Sequence, residues 1–327
     1  MPEYAPRPRV PGLLKETKTM NDTAALNYVI KDQLIYLRKV EVQVAFNCNL
    51  TCKGCVHGSP ARPVKMLSPE EFARDLAALG SAARVHKLLL VGGEPLLHPD
   101  LVELLKLAKA SGVAKYVCVT TNGVGLENMS DDFFSNVDSI EVSHYPRVRL
   151  RYTREDLERK AQQFGFTFAI SAYATFQETH LSVPLDDPAL VQQIYKRCKP
   201  RAEWSCHTFA EGRYYMCPRS PILGERLGSC GQLVDNRPAD GVMMRDNPDL
   251  FGDLLRYLQR DDPLEACKWC LGSDGASFPH LLQSKKAAIE EASRIVHFAP
   301  TLLSPRARAE LAGLLAPEDG KAEAAAP

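Results

Sequence analysis

Between residues 39 and 173, short β-branched and aromatic runs alternate with amphipathic helical segments. This rhythm limits the possible folds more than any other feature of the chain. KVEVQVAF (39–46) puts Val40, Val42, Val44 and Phe46 on one face and reads as a strand running into Cys48. SPEEFARDLAALG (68–80) reads as a helix: Ser68 caps it, Pro69 takes the first position, Glu71 closes a capping box and Gly80 ends it. HKLLLVGGEP (86–95) is a buried strand broken by two glycines, HPDLVELLKLAKASG (98–112) a helix, and AKYVCVTTNG (114–123) a strand with Cys118 in its core. SDDFFSNV, SIEVSHYP, TREDLERKAQQFG (with a capping box from Thr153 to Asp156) and FTFAISAY add a short helix, a strand, a helix and a fifth strand. Such alternation predicts an α/β fold with a parallel sheet and right-handed crossovers. Five units without a clear sixth strand fit a partial, TIM-like β/α barrel better than a closed eight-fold one. Ligands of such sheets gather at the C-terminal strand ends. Cys48, the segment Gly92-Gly93-Glu94, the run Thr120 to Gly123, and Ser143 with His144 all fall there.

The rhythm divides the chain. Residues 1–37 read as a lead-in rich in proline and charge, 38–184 as the barrel core, and 185–283 as a small cysteine-rich, metal-stabilised module holding Cys198, Cys206, Cys217, Cys230, Cys267 and Cys270. SKKAAIEEASRIVHFA opens a set of closing helices over 284–315, and 316–327 reads as a disordered tail. With 40 basic and 40 acidic residues among 327, the chain carries no formal net charge, which argues against a nucleic-acid partner. No run approaches the ~18 apolar residues of a membrane span, and MPEYAPRPRVPGLLKETK lacks the apolar core of a signal peptide. The expectation is a cytoplasmic protein with no membrane association. There, ten cysteines point to metal or redox chemistry before disulfides.

CNLTCKGC (48–55) spaces three thiols by three residues and then two. Cys48, Cys52 and Cys55 can ligate three irons of a [4Fe–4S] cubane and leave the fourth iron open, the mark of a reactive site. A zinc knuckle with a distant fourth ligand and three unrelated thiols are the competing readings; spacing and position favour the cluster. Cys48-x3-Cys52-x2-Cys55 after the first strand, followed by GGE after the second, resembles the radical S-adenosylmethionine superfamily over about residues 38–175. The resemblance implies a partial (β/α)6 barrel in which S-adenosylmethionine chelates the open iron. One electron then splits it into methionine and a 5′-deoxyadenosyl radical that abstracts hydrogen from substrate. It also implies that Gly92, Gly93 and Glu94 hold the methionine amino group through carbonyl and carboxylate acceptors, that Ser143 contacts the cofactor's ribose or carboxylate, and that a donor such as flavodoxin or ferredoxin supplies the electron. Members often carry an aromatic residue just before the third cysteine, packed on the adenine. Here that residue is Gly54, so the stacking partner is sought elsewhere, in His57, Phe46 or Tyr145.

CHTFAEGRYYMC (206–217) reads as a hairpin turning at Glu211-Gly212. Ala210 then pairs with Arg213, Phe209 with Tyr214, and Cys206 lies opposite Cys217. CKWC (267–270) is a compact clip for two further corners of a cluster. The region resembles the twitch or SPASM-type extension of some radical S-adenosylmethionine enzymes, with Gly212-x4-Cys217 and Cys267-x2-Cys270 matching its pattern. The hairpin favours Cys206 as the opening cysteine, with Cys198 in reserve; Cys230 is spare or an alternative ligand. The expected ligands of one auxiliary [4Fe–4S] cluster are thus Cys206, Cys217, Cys267 and Cys270, with structural zinc as the competing reading. A cluster closed by four thiolates accepts electrons or braces the fold. The expected enzyme is an oxidoreductase or lyase type acting on a small polar substrate, a sugar or aminocyclitol derivative, by dehydrogenation, epimerisation or dehydration. Modification of a ribosomally made peptide is the alternative, weakened because the lead-in is too short for the usual peptide-binding domain. A non-catalytic iron–sulfur or zinc protein is a further one. No catalytic side chain is singled out.

Overall fold

The computed structural model describes residues 28–315. The tail read at 316–327 and the lead-in up to residue 27 lie outside them. Apolar runs build one nine-stranded sheet. β1 (Tyr28–Lys31) turns back on β2 (Leu34–Ala45), the strand at the sheet's middle. From β2 the chain steps outward in parallel order through β3 (Ala83–Gly92), β4 (Ala114–Thr121), β5 (Ser139–His144) and β6 (Thr167–Ala172). Helices α1 (Pro69–Gly80), α2 (Leu101–Ala110), α3 (Asp131–Asn136) and α4 (Arg154–Phe164) carry it between strands. β7 (Thr175–Gln177) leaves this sheet, and after α5 (Pro188–Arg197) the chain returns as β8 (His207–Ala210), which pairs parallel with β2 on its free side. β9 (Arg213–Tyr215) and β10 (Gly241–Met243) extend that edge antiparallel. Six parallel strands, β8-β2-β3-β4-β5-β6, therefore form a partial, TIM-like α/β barrel, and β8 is the sixth strand that the sequence pattern left open.

Two boundaries differ from the sequence expectation. The first barrel strand begins at Leu34, inside the expected lead-in, because Ile35 and Leu37 are buried and extend the ladder onto Ala83 and Val85. Their alternation is out of phase with Val40, Val42 and Val44, which hides it from a period-two reading. The closing helix spans only Lys285–Ala292, with Ala288 its one buried residue. Residues 294–299 beyond it carry no helix, and the Val296 carbonyl accepts from the backbone N–H groups of Ser182 and Val183; helices Pro305–Glu310 and Ala312–Leu315 then follow, within the expected 284–315. The expected caps hold at Ser68, which accepts from Glu71 N–H, and at Thr153–Asp156, where both halves of the capping box are present.

The main core packs the outer faces of the strands against the helices, through Val40, Val42, Leu88, Leu90, Phe72 and Phe133. Phe209, Tyr214, Met216, Leu250 and Leu254 belong to it as well, so part of the chain beyond residue 185 is continuous with the barrel. Leu185, Leu190, Ile194, Leu271, Leu303 and Ala307 form a separate small core. The β8–β9 turn has Glu211 at φ 51° and Gly212 at φ 77°, as a two-residue hairpin requires. It is tied to α1 by the buried Asp75 carboxylate, which accepts from Gly212 N–H and pairs with Arg245 at 2.7 Å. Among the described residues no helix is long and apolar enough to cross a membrane.

Candidate functional site

β2 ends at Ala45, and the loop beyond it is pinned at its return: Phe46 N–H donates to Lys65 O at 2.9 Å and Leu67 N–H to Val44 O at 2.8 Å. Cys48, Cys52 and Cys55 project from this loop, close enough that Cys52 feels the charge of both others. Burial first, and their mutual repulsion second, lift Cys52 to about 12; burial lifts Cys48 to about 11. Cys55 goes the other way. Burial raises it, but His57 and the backbone N–H groups of His57 and Ser59 outweigh that and leave it below its ordinary value. Cys48 Sγ accepts from Leu50 N–H at 3.4 Å and from Asn122 Nδ2 at 3.6 Å. Asn122, from the TNG run after β4, also donates to Asn49 Oδ1 at 2.7 Å, so it braces the cysteine loop besides shaping a turn.

Gly92 and Gly93 bring the end of β3 against this loop. A methyl on Gly93 would lie 2.1 Å from Asn47 O, and one on Gly92 (φ 150°) 2.1 Å from Ala45 O. Only glycine allows that approach. Gly93 N–H donates to Ala45 O at 2.7 Å and Glu94 N–H to Asn47 O at 3.0 Å. Glu94 is fully buried. Its carboxylate, expected to meet the cofactor's ammonium, accepts from three donors of the chain: Thr121 Oγ1 at 2.6 Å, Asn122 N–H at 2.8 Å and Leu96 N–H at 3.0 Å. Burial raises it to about 7 against these donors. The residue is a strut between the ends of β3 and β4, set by long-range contacts that spacing does not reveal.

Ser143, at the end of β5, hydrogen-bonds the Tyr145 hydroxyl. Tyr145 stacks on His280 at 4.7 Å, and Phe176 meets both edge-on. β11 (Ser277–Pro279), paired with β7, and the residues after it lie along the cysteine loop. Lys53 N–H donates to Leu281 O, Gln283 N–H to Thr51 O, and His280 Nε2 sits 3.1 Å from Cys52 Sγ. Gly54 leaves room that Phe278 fills, since a methyl there would lie 2.5 Å from its Cζ. Of the aromatic residues considered for the adenine, Tyr145 belongs to this cluster, His57 lies on Cys55, and Phe46 is covered by Arg62 at 4.1 Å. Phe278 and His280 carry no sequence signal; only folding brings them 228 residues back to Cys52.

The second cysteine group differs from the sequence expectation in one member. The β8–β9 register is the expected one, Ala210 with Arg213 and Phe209 with Tyr214, but the ladder stops at Thr208–Tyr215. Cys206 N–H bonds Pro200 O instead, and its thiol turns to Lys39 Nζ at 3.5 Å. Burial, then Glu41, hold that thiol well above its ordinary value against the pull of Lys39. Cys198, at the end of α5, lies near the others: the charges acting on Cys267 are those of Cys217, Cys270 and Cys198. Burial raises Cys198, Cys217 (to about 12) and Cys267. Cys230 lies apart, on Ala292 O and Ser182. The four thiols line a cavity of about 190 Å³ that also reaches Cys206, His57 and Trp204. Arg219 enters this cavity and donates from Nη1 to Cys270 Sγ at 3.0 Å, while Gly272 N–H donates to the same sulfur at 3.2 Å. Among the described residues no three His, Cys, Asp or Glu side chains sit close enough for a single metal ion.

Residues 42–144 match the family model described as Radical SAM superfamily. The chain is 34% identical over 136 residues to GTP 3′,8-cyclase of Chlorobaculum tepidum, covering 41% of each chain. It is 29% identical over 153 residues to GTP 3′,8-cyclase of Lactiplantibacillus plantarum, covering 45% of each. The matched stretch thus spans under half the length of these curated relatives. Among solved structures, the crystal structure of BtrN in complex with AdoMet and 2-DOIA aligns with a TM-score of 0.41 at 15% identity, covering 71% of this chain and 92% of that one.

Proposed function

We propose that this chain, which carries a radical SAM superfamily domain over residues 42–144, is an enzyme that abstracts a hydrogen atom from a small polar substrate and completes a two-electron dehydrogenation with the help of a second cluster. The observation that carries the reading is the gathering of Cys48, Cys52 and Cys55 on one glycine-braced loop at the C-terminal end of β2. The residues fit a cluster of this kind. Three thiols share a loop, no fourth cysteine is among the charges acting on them, and N–H groups from Leu50, His57 and Ser59 point at their sulfurs, as outer-shell donors do around iron–sulfur centres. A [4Fe–4S] cluster held there would, with S-adenosylmethionine, supply the radical chemistry for taking hydrogen from substrate.

In this reading Cys48, Cys52 and Cys55 are the ligands. Asn122 and Glu94 hold the loop and strand ends in register, Gly92 and Gly93 present backbone carbonyls to the cofactor, and Ser143 fixes Tyr145 beside the site. Cys198, Cys217, Cys267 and Cys270 would hold an auxiliary [4Fe–4S] cluster, which would supply an acceptor for the second electron. Their cavity has several times the ~30 Å³ share of one water. Four thiolates on one zinc, with bonds of about 2.3 Å, need a tighter convergence than this group shows. Thiols that burial keeps protonated release their protons when the metal binds. The module over 185–283 is then a lobe sharing the barrel's sheet through β8 to β10.

A second reading, ring closure on a purine nucleotide, is favoured by the names of the matched relatives, although the match is confined to the radical SAM region and its flanks. Anaerobic reconstitution with iron and sulfide, then dithionite and S-adenosylmethionine, tests the class. The wild type is expected to form 5′-deoxyadenosine and the Cys48/Cys52/Cys55 triple alanine variant none. Failure of the fully loaded wild type to form it refutes the proposal. GTP consumption coupled to 5′-deoxyadenosine would select the second reading.

A further inference from the structure

Arg219 is a basic side chain that the structure sets directly on a sulfur of the four-thiol group. It follows Cys217 by two residues, its backbone N–H points at the Cys217 sulfur, and its guanidinium reaches across the cavity to Cys270 Sγ at 3.0 Å. One residue therefore touches two of the four sulfurs. The neighbouring Arg226 is different: Glu291 and Glu178 share its charge, and it faces Cys55. Arg201 acts on Cys198 as well, and Arg219 adds to its charge a side-chain hydrogen bond to a sulfur of the quartet.

We infer that Arg219 sets the reduction potential of the auxiliary cluster, raising it by placing a charged hydrogen bond on the Cys270 thiolate. This rests on the reading of Cys198, Cys217, Cys267 and Cys270 as ligands of a cluster. Reduction adds one electron to an already anionic cluster and its four thiolates. A fixed cation at hydrogen-bond distance stabilises the reduced form more than the oxidised one, and hydrogen bonds to sulfur act in the same direction. Gly272 N–H supplies the same sulfur with a neutral donor, so the charge is the part that Arg219 alone provides. Arg219 is a positioning and tuning residue here and does not touch substrate.

The test is an EPR-monitored redox titration of the full chain carrying Cys48→Ala, Cys52→Ala and Cys55→Ala, so that only the auxiliary cluster is read. Adding Arg219→Gln, which keeps an amide donor and removes the charge, is expected to shift the midpoint to more negative potential at unchanged iron and sulfide content. Arg219→Lys, which keeps the charge, is expected to stay nearer the parent than Gln does, and Arg219→Met, which also removes the charge, serves as the measurement if the Gln variant loses its cluster. A Gln or Met variant with a full cluster and the parent's midpoint overturns the inference and leaves the cluster reading standing. A parent that holds zinc and no iron at the quartet overturns both.

Discussion

Gly93→Ala tests whether the fit between β3 and the cysteine loop is as tight as the structure makes it. The added methyl would lie 2.1 Å from Asn47 O, 2.4 Å from Asn47 C and 2.9 Å from Ser59 Oγ. Carbon–oxygen contacts normally begin near ~3.3 Å, so one backbone must retreat by about 1.2 Å. The atoms in the way are main chain, one residue before Cys48, and cannot swing aside as a flexible side chain would. Two hydrogen bonds span the gap, Gly93 N–H to Ala45 O and Glu94 N–H to Asn47 O. Losing them costs about 1 kcal/mol each, and overpacking adds about 1–3 kcal/mol. The expected destabilisation is therefore about 3–5 kcal/mol. Gly165→Ala is the control. Gly165 has positive φ, 81°, which Gly93 lacks, and open space around it, so only the left-handed backbone penalty of about 1–2 kcal/mol applies. Urea unfolding of the metal-free chain reads both. Anaerobic reconstitution of Gly93→Ala is also expected to lose about four irons, those of the three-cysteine cluster, and keep the rest. A Gly93→Ala chain no less stable than Gly165→Ala, with full iron, refutes the claim that glycine is required there for close approach.

Cys198→Ala is expected to lower bound iron by about four per chain and Cys206→Ala to leave it unchanged; the reverse result would restore the hairpin pairing of Cys206 with Cys217. Arg245→Leu leaves the 1%-exposed Asp75 without its cation and should cost about 3 kcal/mol in urea unfolding, as removal of one partner of a buried pair does. Glu94 supplies a pH test. Its folded value, about 7, lies above the ordinary 4.5 because it is buried, so between those values the folded chain keeps a proton that the unfolded chain has released. Its contribution is fully present below pH ~4.5 and is lost as pH rises through ~7, roughly 3 kcal/mol in all. Glu94→Gln is expected to flatten that slope, measured as the difference in urea stability between pH 5 and pH 8, and an unchanged slope would remove Glu94 as its source.

Several particulars were readable from neighbouring residues. The α4 capping box and the Glu211–Gly212 turn depend on contacts within a few positions, and the three-cysteine loop is contiguous. Such short-range chemistry leaves its signature in spacing. The start of β2 escaped because Ile35 and Leu37 are out of phase with the valines after them. Glu94 escaped for another reason: its position at a strand end was visible, but its partners stand 27 and 28 residues away on β4 and the loop after it.

What the residues alone determined is the alternation that makes a parallel α/β sheet, and a thiol triplet at the end of a strand, because both arise from local period and local spacing. What tertiary structure decided is the company those thiols keep. Cys198 rather than Cys206 joins Cys217, Cys267 and Cys270, Arg219 lies on their sulfurs, and His280 lies on Cys52. Partners 19 to 228 residues apart meet only through the packing of the whole sheet, and no spacing in the chain encodes that meeting.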